Sequence, residues 1–152
     1  MFAMPTLATN RKIGYDYEAL EKFEAGLSLE GWEVKSVREG GAKLEGAHIV
    51  PHKGNLVLLG AHIAPYKKAS KQTPVDPLRS RPLLLHTKEI RYLIGKTQEK
   101  GLTLVPYSIY TRGQRIKVEF WLARGKKTFE KREKIKQRDL DRDARRNFDS
   151  DL

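Results

Sequence analysis

The stretch LTLVPYSIYTRGQRIKVEFWLA, residues 102–123, contains two β-rich runs separated by TRGQ. In the second run the apolar residues Ile116, Val118, Phe120 and Leu122 occupy every second position. This period of two is typical of a strand that turns one face towards a core. The short segment TRGQ joins the two runs. The stretch therefore predicts an antiparallel hairpin, and β structure as the framework of the chain.

Two further segments predict strands. Residues 47–63, AHIVPHKGNLVLLGAHI, contain two β-rich runs around HKGN, where we expect Gly54-Asn55 to supply the positive φ of a hairpin turn. Upstream, residues 13–26 predict a strand that bends or bulges near Glu21–Lys22 and ends at Gly26.

Helical signals are short. Residues 29–41 carry apolar side chains about one helical turn apart and end at Gly40-Gly41, which predicts a short helix. A second helix is predicted from Thr87, as its cap, to a stop at Gly101, with Ile90, Leu93 and Ile94 on one face. Residues 64–82 between them hold four prolines and five basic residues, and predict a surface loop with room for one helical turn.

These segments together contain five or six strands and two or three short helices. A sheet of that size with few helices is typical of a small antiparallel β-barrel of the OB type. We expect the barrel to span residues 10–123, after a flexible N-terminus at residues 1–9 and before a C-terminal tail at residues 124–152.

Charge indicates the class of partner. The chain has 30 Lys and Arg against 19 Asp and Glu, a formal net charge of +11. Residues 124–146 contain eleven basic and five acidic side chains, so more than half of the excess lies in this one segment. A solvated run of charges is the plain alternative, but an excess this concentrated favours an arm that binds a polyanion.

Other classes of protein are disfavoured. The absence of cysteine excludes disulfides, cysteine-ligated metal and thiol catalysis. The apolar runs are far shorter than the ~20 residues that span a bilayer, and the N-terminus lacks the apolar segment of a signal peptide. We therefore expect a cytoplasmic protein with no membrane association.

Nothing in the sequence predicts catalysis or a cofactor. His48 and His52 are four residues apart, but they fall in a strand-and-turn segment and are poorly placed to share a metal ion. Glu18 and Glu24 would stand about 20 Å apart on an extended strand, too far for a shared acid–base step. We predict that the protein is not an enzyme.

Several motifs occur in collinear order along most of the chain. They are NRKIGYDY, KFEAGLSLEGWEVKSVREGGAKL, HIAPY, DPLRSRPLLLHTKEI and GKKTFEKRE. In this combination the sequence resembles the small protein B family, the SsrA-binding proteins of bacteria. The resemblance implies an OB-like barrel, and we expect the protein to be a monomer. It also implies binding to the tRNA-like domain of transfer-messenger RNA, which such proteins deliver to stalled ribosomes in trans-translation.

The resemblance also implies which residues bind RNA. Its RNA-facing positions fall on Asn10, Glu24, Leu84 and Lys117. A carboxylate such as that of Glu24 can accept hydrogen bonds from a 2′-OH or a guanine edge. Lys117 alternates with inward-facing Ile116 and Val118, so its amine is expected on the opposite face, where it can meet a phosphate.

The tail is the second implied binding element. It is expected to enter the empty mRNA channel beside the decoding centre and to become helical there against rRNA. The residues assigned to this role are Gly125, Lys126, Lys127, Glu130, Lys131, Arg132, Lys134, Lys136 and Arg138. Two other classes stay open from the residues alone, a general rRNA-binding or ribosomal protein of OB type and a metal-dependent nuclease.

Overall fold

The computed structural model describes residues 6–66 and 75–126. They contain nine strands and three helices. In chain order these are β1 (Thr6–Thr9), α1 (Ile13–Asp16), β2 (Tyr17–Leu27), α2 (Gly31–Arg38), β3 (Ala42–Lys43), β4 (His48–His52), β5 (Asn55–Leu59), β6 (His62–Ile63), β7 (Arg81–Leu84), α3 (Thr87–Thr97), β8 (Leu102–Arg112) and β9 (Arg115–Gly125).

Seven of the strands form one sheet in the order β1-β8-β4-β5-β7-β2-β9. Strand β9 also pairs with β8, so the order of paired strands returns to β8. Strands β3 and β6 form a separate two-stranded sheet, and every pairing in the described ranges is antiparallel. A mostly antiparallel sheet with three short helices agrees with the β-rich class that the sequence predicts.

The hairpin of β8 and β9 confirms the prediction from residues 102–123. Its register runs from Leu102 opposite Arg124 to Arg112 opposite Arg115. The four alternating apolar residues of β9 are buried, and Val118 and Phe120 are fully inaccessible to solvent. Because neighbouring residues of a strand point to opposite faces, Lys117 lies on the face away from this core.

Strand β2 is the long partner of β9, paired from Tyr17 to Gly26 with an irregularity between Ala19 and Glu21. The predicted bend therefore exists, one to two residues earlier than expected. The predicted start of the strand is wrong, because residues 13–16 form the helical turn α1. This turn buries Ile13 in a small apolar cluster with Val105, Trp121 and Ala123, on the side of the sheet opposite the main core.

The hairpin of β4 and β5 is also present, but its turn is shifted by one residue. The positive φ angles belong to Lys53 (49°) and Gly54 (76°), rather than to Gly54 and Asn55. A two-residue turn of this kind needs positive φ at both central positions. Asn55 instead pairs with His52 across the hairpin, and its side-chain oxygen accepts a hydrogen bond from the Leu56 N–H at 2.8 Å.

The two longer helices lie close to their predicted positions. Helix α2 begins with a reciprocal capping box between Glu30 and Glu33, in which the Glu30 N–H donates to Glu33 Oε1 at 2.8 Å. Helix α3 begins at Thr87 itself, and its N-cap is His86 without a side-chain cap bond. The predicted cap at Thr87 is therefore wrong by one position. The turn after this helix ends at Gly101, whose φ of 84° suits a glycine.

The N-terminal boundary also needs a correction. Residues 6–9, expected within a flexible N-terminus, form β1 and pair with β8 between Thr6–Tyr110 and Thr9–Ser108. The rest of the predicted N-terminus, residues 1–5, and most of the predicted tail, residues 127–152, lie outside the described residues, as do residues 67–74. None of the described helices is long and apolar enough to cross a membrane.

A buried ion cluster fastens α2 to the sheet. Glu33 and Arg81 are both fully buried, and the Arg81 Nε donates to Glu33 Oε2 at 2.6 Å. Arg81 also donates to the Ala61 carbonyl at 2.7 Å, while the partly exposed Arg79 pairs with Glu33 from the other side. Burial alone would raise the pKa of Glu33, but the hydrogen bonds from Arg79, the Glu30 N–H and Arg81 hold that pKa below its usual value.

Replacing Glu33 with Gln should destabilise the fold strongly, because Arg81 would keep its charge in a buried site without a counter-charge. We expect a loss of about 3 kcal/mol or more in the free energy of unfolding. Urea unfolding followed by tryptophan fluorescence measures it, with the exposed Glu45→Gln as the control that should stay near wild type. Because folding lowers the pKa of Glu33, its ionised carboxylate stabilises the fold above the usual pKa of glutamate. Wild type should lose this stabilisation as the pH falls from that value through the lowered pKa of Glu33, whereas Glu33→Gln has none to lose. Equal stability of the two variants would contradict the role of the cluster.

Candidate nucleic-acid interface

Three of the four expected RNA-facing residues line one groove. Glu24, Leu84 and Lys117 come from β2, β7 and β9, and the N-terminal part of α3 forms part of the rim with His86 and Glu89. The three strands are neighbours in the sheet, in the order β7-β2-β9. The fold therefore brings together residues that are far apart in the sequence.

Strand register explains how they meet. Leu84 lies opposite Gly26, Gly26 lies opposite Lys117, and Lys117 lies opposite Tyr110. Residues directly opposite one another on antiparallel strands share a face of the sheet. These four positions consequently form a row across β7, β2, β9 and β8, which we call the cross-strand row. Glu24 lies two residues before Gly26 on β2, so it belongs to the same face.

Glu24 is held by two partners on β8. The Tyr110 hydroxyl donates to Glu24 Oε2, and Arg112 Nη1 donates to Glu24 Oε1 at 2.8 Å. The hydrogen bond from Tyr110, followed by the contact with Arg112 and the positive charge of Lys117, lowers the pKa of Glu24 against the opposing effect of burial. Burial and the bond to Glu24 raise the pKa of Tyr110. The groove thus presents a fixed, ionised carboxylate.

Leu84 and Lys117 add an apolar surface and a positive charge to the groove. Leu84 is 60% exposed, and it is one of four large apolar residues in the described ranges that are exposed to solvent. Lys117 is partly exposed beside it, as the alternation of β9 predicts. An apolar surface, an acceptor and a cation therefore lie within one groove, a combination that suits the base, sugar and phosphate of a nucleotide.

Asn10 has a different environment from the one expected. Asn10 is only 4% exposed. Its side-chain amide donates a hydrogen bond to the Leu44 carbonyl at 3.1 Å, and its backbone N–H donates one to the Tyr107 carbonyl at 2.7 Å. These bonds join the end of β1 to two other segments. Asn10 therefore lies in a buried, hydrogen-bonded position and does not line the groove of Glu24, Leu84 and Lys117, and its role in RNA binding stays a prediction.

The beginning of the tail is attached to the body. Gly125 is the last residue of β9, and the Lys126 N–H donates to the Asp16 carbonyl at 2.8 Å. The Lys126 ammonium donates to the Gly14 carbonyl at 2.8 Å. The other residues assigned to the tail lie outside the described residues, namely Lys127, Glu130, Lys131, Arg132, Lys134, Lys136 and Arg138.

Metal ligands are not clustered in the part of the chain that the structure describes. No group of three or more His, Asp or Glu side chains there could hold an ion. His48 and His52 both lie on β4, a strand, so they do not have the helical spacing of a shared metal site.

Sequence reasoning missed Tyr110, Arg112 and Gly26 as parts of the groove. A signal for Tyr110 and Arg112 was present in the hairpin. A two-residue turn at Gly113 and Gln114 places Arg112 opposite Arg115 and Tyr110 opposite Lys117, which is the register observed. Gly26 had no comparable local signal, because its neighbours on β7 and β9 are distant in the sequence.

Comparison with known proteins gives a consistent result over nearly the whole chain. The family model for SmpB protein matches residues 7–150. The SsrA-binding protein of Nitrosomonas europaea is 47% identical over 141 residues, which cover 93% of each of the two chains. The SsrA-binding protein of Ralstonia pickettii is 49% identical over 142 residues, covering 93% of this chain and 95% of that protein.

A solved structure agrees with these relatives. A chain from the work "tmRNA-SmpB: a journey to the center of the bacterial ribosome" is 49% identical and superposes with a TM-score of 0.65. The match covers 79% of this chain and 84% of that one. The similarity therefore extends from sequence to fold.

The effect of the Tyr110 hydroxyl on the pKa of Glu24 can be tested by substitution. Tyr110→Phe removes the hydroxyl that contributes most to the lowered pKa of Glu24 while it keeps the ring. The pKa of the Glu24 carboxyl should therefore rise towards its usual value. A carbon-detected NMR titration of the side-chain carboxyl measures this pKa, with Tyr107→Phe as a control that removes a tyrosine hydroxyl elsewhere on the sheet. An unchanged Glu24 pKa in Tyr110→Phe would show that the hydroxyl does not hold the carboxylate.

Proposed function

The chain belongs to the SmpB protein family, and from this premise we propose that it is an SsrA-binding protein of trans-translation. It binds the tRNA-like domain of transfer-messenger RNA and delivers this RNA to stalled ribosomes, so that incomplete peptides are tagged. The observation that carries the proposal is the cross-strand row, which places Leu84 and Lys117 beside Glu24 on one face of a protein with 47–49% identical SsrA-binding relatives.

The groove supports recognition of a folded RNA by its shape and sugars. Lys117 supplies a cation for a phosphate, and Leu84 supplies an apolar surface for a base or ribose. The Glu24 carboxylate can accept a hydrogen bond from a 2′-OH, which DNA lacks. A carboxylate repels phosphate, so its presence favours a site that contacts sugars and base edges as well as the backbone.

We further propose that the sheet is an OB-like β-barrel. The support is the cycle of pairings, in which β8, β4, β5, β7, β2 and β9 follow one another and β9 pairs again with β8. Closure of this kind removes the free edges of a sheet. In this proposal the body spans residues 10–123 together with the additional strand β1.

The tail is assigned a separate role. We propose that residues 124–152 enter the empty mRNA channel of the ribosome beside the decoding centre. The basic excess at residues 124–146 supports binding to rRNA phosphates. Pairs such as Glu130–Lys134 and Asp141–Arg145 are spaced for helix formation, which contact with rRNA can favour by relieving repulsion between like charges.

The proposal describes a monomeric binding protein of the cytoplasm that carries no cofactor and catalyses no reaction. A general rRNA-binding protein and a nuclease remain distinguishable by experiment. Sequencing the RNA that co-purifies with the protein would recover transfer-messenger RNA as the dominant species if the proposal holds. Recovery of rRNA without a dominant tRNA-like partner, or cleavage of labelled RNA with Mg²⁺, would overturn it.

Single substitutions in the groove should weaken binding to the tRNA-like domain without unfolding the body. Lys117→Ala should lower affinity and reduce the slope of log K against log[salt] by about one, because one phosphate contact is lost. Glu24→Ala should lower affinity with little change in that slope. Filter binding at several salt concentrations measures both, and Lys43→Ala, an exposed lysine on β3, is the matched control. Binding by either groove variant that equals the control would contradict the assignment.

Removal of residues 127–152 should separate RNA binding from ribosome rescue. The cut follows Lys126 so that its contacts with Gly14 and Asp16 are retained. The core lies within the described strands, so the thermal transition and most affinity for isolated tRNA-like RNA should persist. Peptide tagging on ribosomes with a truncated message should be lost. The same assay with Lys131→Ala and Arg132→Ala in the full chain should reproduce much of the defect. Normal tagging by the truncated protein would refute the role of the tail.

A further inference from the structure

Gly26 lies at the centre of the cross-strand row, between Leu84 on β7 and Lys117 on β9. A Cβ atom at this position would lie 3.3 Å from Leu84 Cβ, 3.4 Å from Cδ1 and 3.7 Å from Cγ. Directly opposite Cβ atoms on antiparallel strands are ordinarily about 4.5–5.5 Å apart. The side chain of Leu84 therefore occupies the space that a side chain at position 26 would need.

The backbone of Gly26 does not itself require glycine. Positive φ angles occur at six other glycines of the described residues, and Gly26 is not among them. It sits in the regular register of β2 with both β7 and β9. The absence of a side chain at Gly26 therefore matters because it leaves space for Leu84, and not because it permits an unusual backbone conformation.

The consequence concerns the direction of Leu84. Its side chain covers Gly26, which is buried, and yet remains 60% exposed on its outer side. It thus lies against Gly26 of β2, in the groove that Glu24 and Lys117 also line. A Cβ atom at position 26 would require the side chain of Leu84 to shift by a few tenths of an ångström away from β2, because their Cβ atoms would otherwise be only 3.3 Å apart.

We propose that Gly26 is a positioning residue for RNA recognition, because it allows Leu84 to lie against β2 in the groove that Glu24 and Lys117 also line. The ligand is one unstacked nucleotide, whose base or sugar face packs on Leu84 while the carboxylate accepts a hydrogen bond and the ammonium meets the phosphate. This inference rests on the proposed function, and it adds a residue that contacts no RNA itself.

A double-mutant cycle on the full chain tests the inference with a transcript of the tRNA-like domain as the probe. Gly26→Ala and Leu84→Ala should each weaken binding about tenfold, a change of ~1.4 kcal/mol. The double variant should bind no more weakly than Leu84→Ala alone, because position 26 then has no leucine to displace. Gly95→Ala is the matched control, since a Cβ there meets no atom within 4 Å. It should bind like wild type.

Each other result has a distinct meaning. Wild-type affinity of Gly26→Ala beside weakened Leu84→Ala would overturn the inference and leave the proposed function intact, and so would additive losses in the double variant. Wild-type affinity of Leu84→Ala would remove Leu84 from the RNA contact and the inference with it.

A structural readout keeps the test valid if Gly26→Ala also lowers thermal stability. Nuclear Overhauser contacts between the Leu84 methyl groups and the Gly26 Hα atoms should be strong in the wild-type protein. Absence of these contacts in the wild type would overturn the inference without any binding measurement. In Gly26→Ala, measured well below its thermal transition, contacts from the Leu84 methyl groups to β2 should weaken.

Discussion

The pairing of β9 with both β8 and β2 is the constraint on which the rest of the molecule depends. Its inward residues Val118 and Phe120 are fully buried, while Lys117 between its apolar neighbours lies on the other face. A slip of one residue would exchange the two faces, placing a cation in the core and apolar side chains in the groove. The apolar core therefore fixes the register of β9, and that register in turn fixes the position of Lys117 in the groove.

Charged side chains serve two different purposes in this fold. Glu33 and Arg81 are completely buried and join α2 to β7, and loss of Glu33 would leave the buried charge of Arg81 without a counter-charge. Glu24 lies at the surface, where Tyr110 and Arg112 orient it but leave it accessible within the groove. Both carboxylates have a lowered pKa, so the direction of the shift alone does not separate a structural role from a binding role. The position of each group in the fold does.

Strand β9 both lines the groove and leads into the tail. Strand β9 carries Lys117 in its first half and ends at Gly125, after which Lys126 is bonded to α1. The body can thus hold the start of the tail in a defined place while the groove is occupied. In the proposed function this arrangement lets one protein contact the tRNA-like domain with its body and the ribosome with residues 124–152.

The sequence by itself determined the elements whose signals are local, because alternation and turn chemistry act between near neighbours. Residues 102–123 specified a hairpin and the outward direction of Lys117, and the motifs indicated the family. Local patterns failed at α1, which takes its place by packing Ile13 against residues distant in the chain. Only the tertiary structure decided that Asn10 is buried and that Gly26 lies beneath Leu84. Both results arise from strand pairings and hydrogen bonds between distant segments, which no local period encodes.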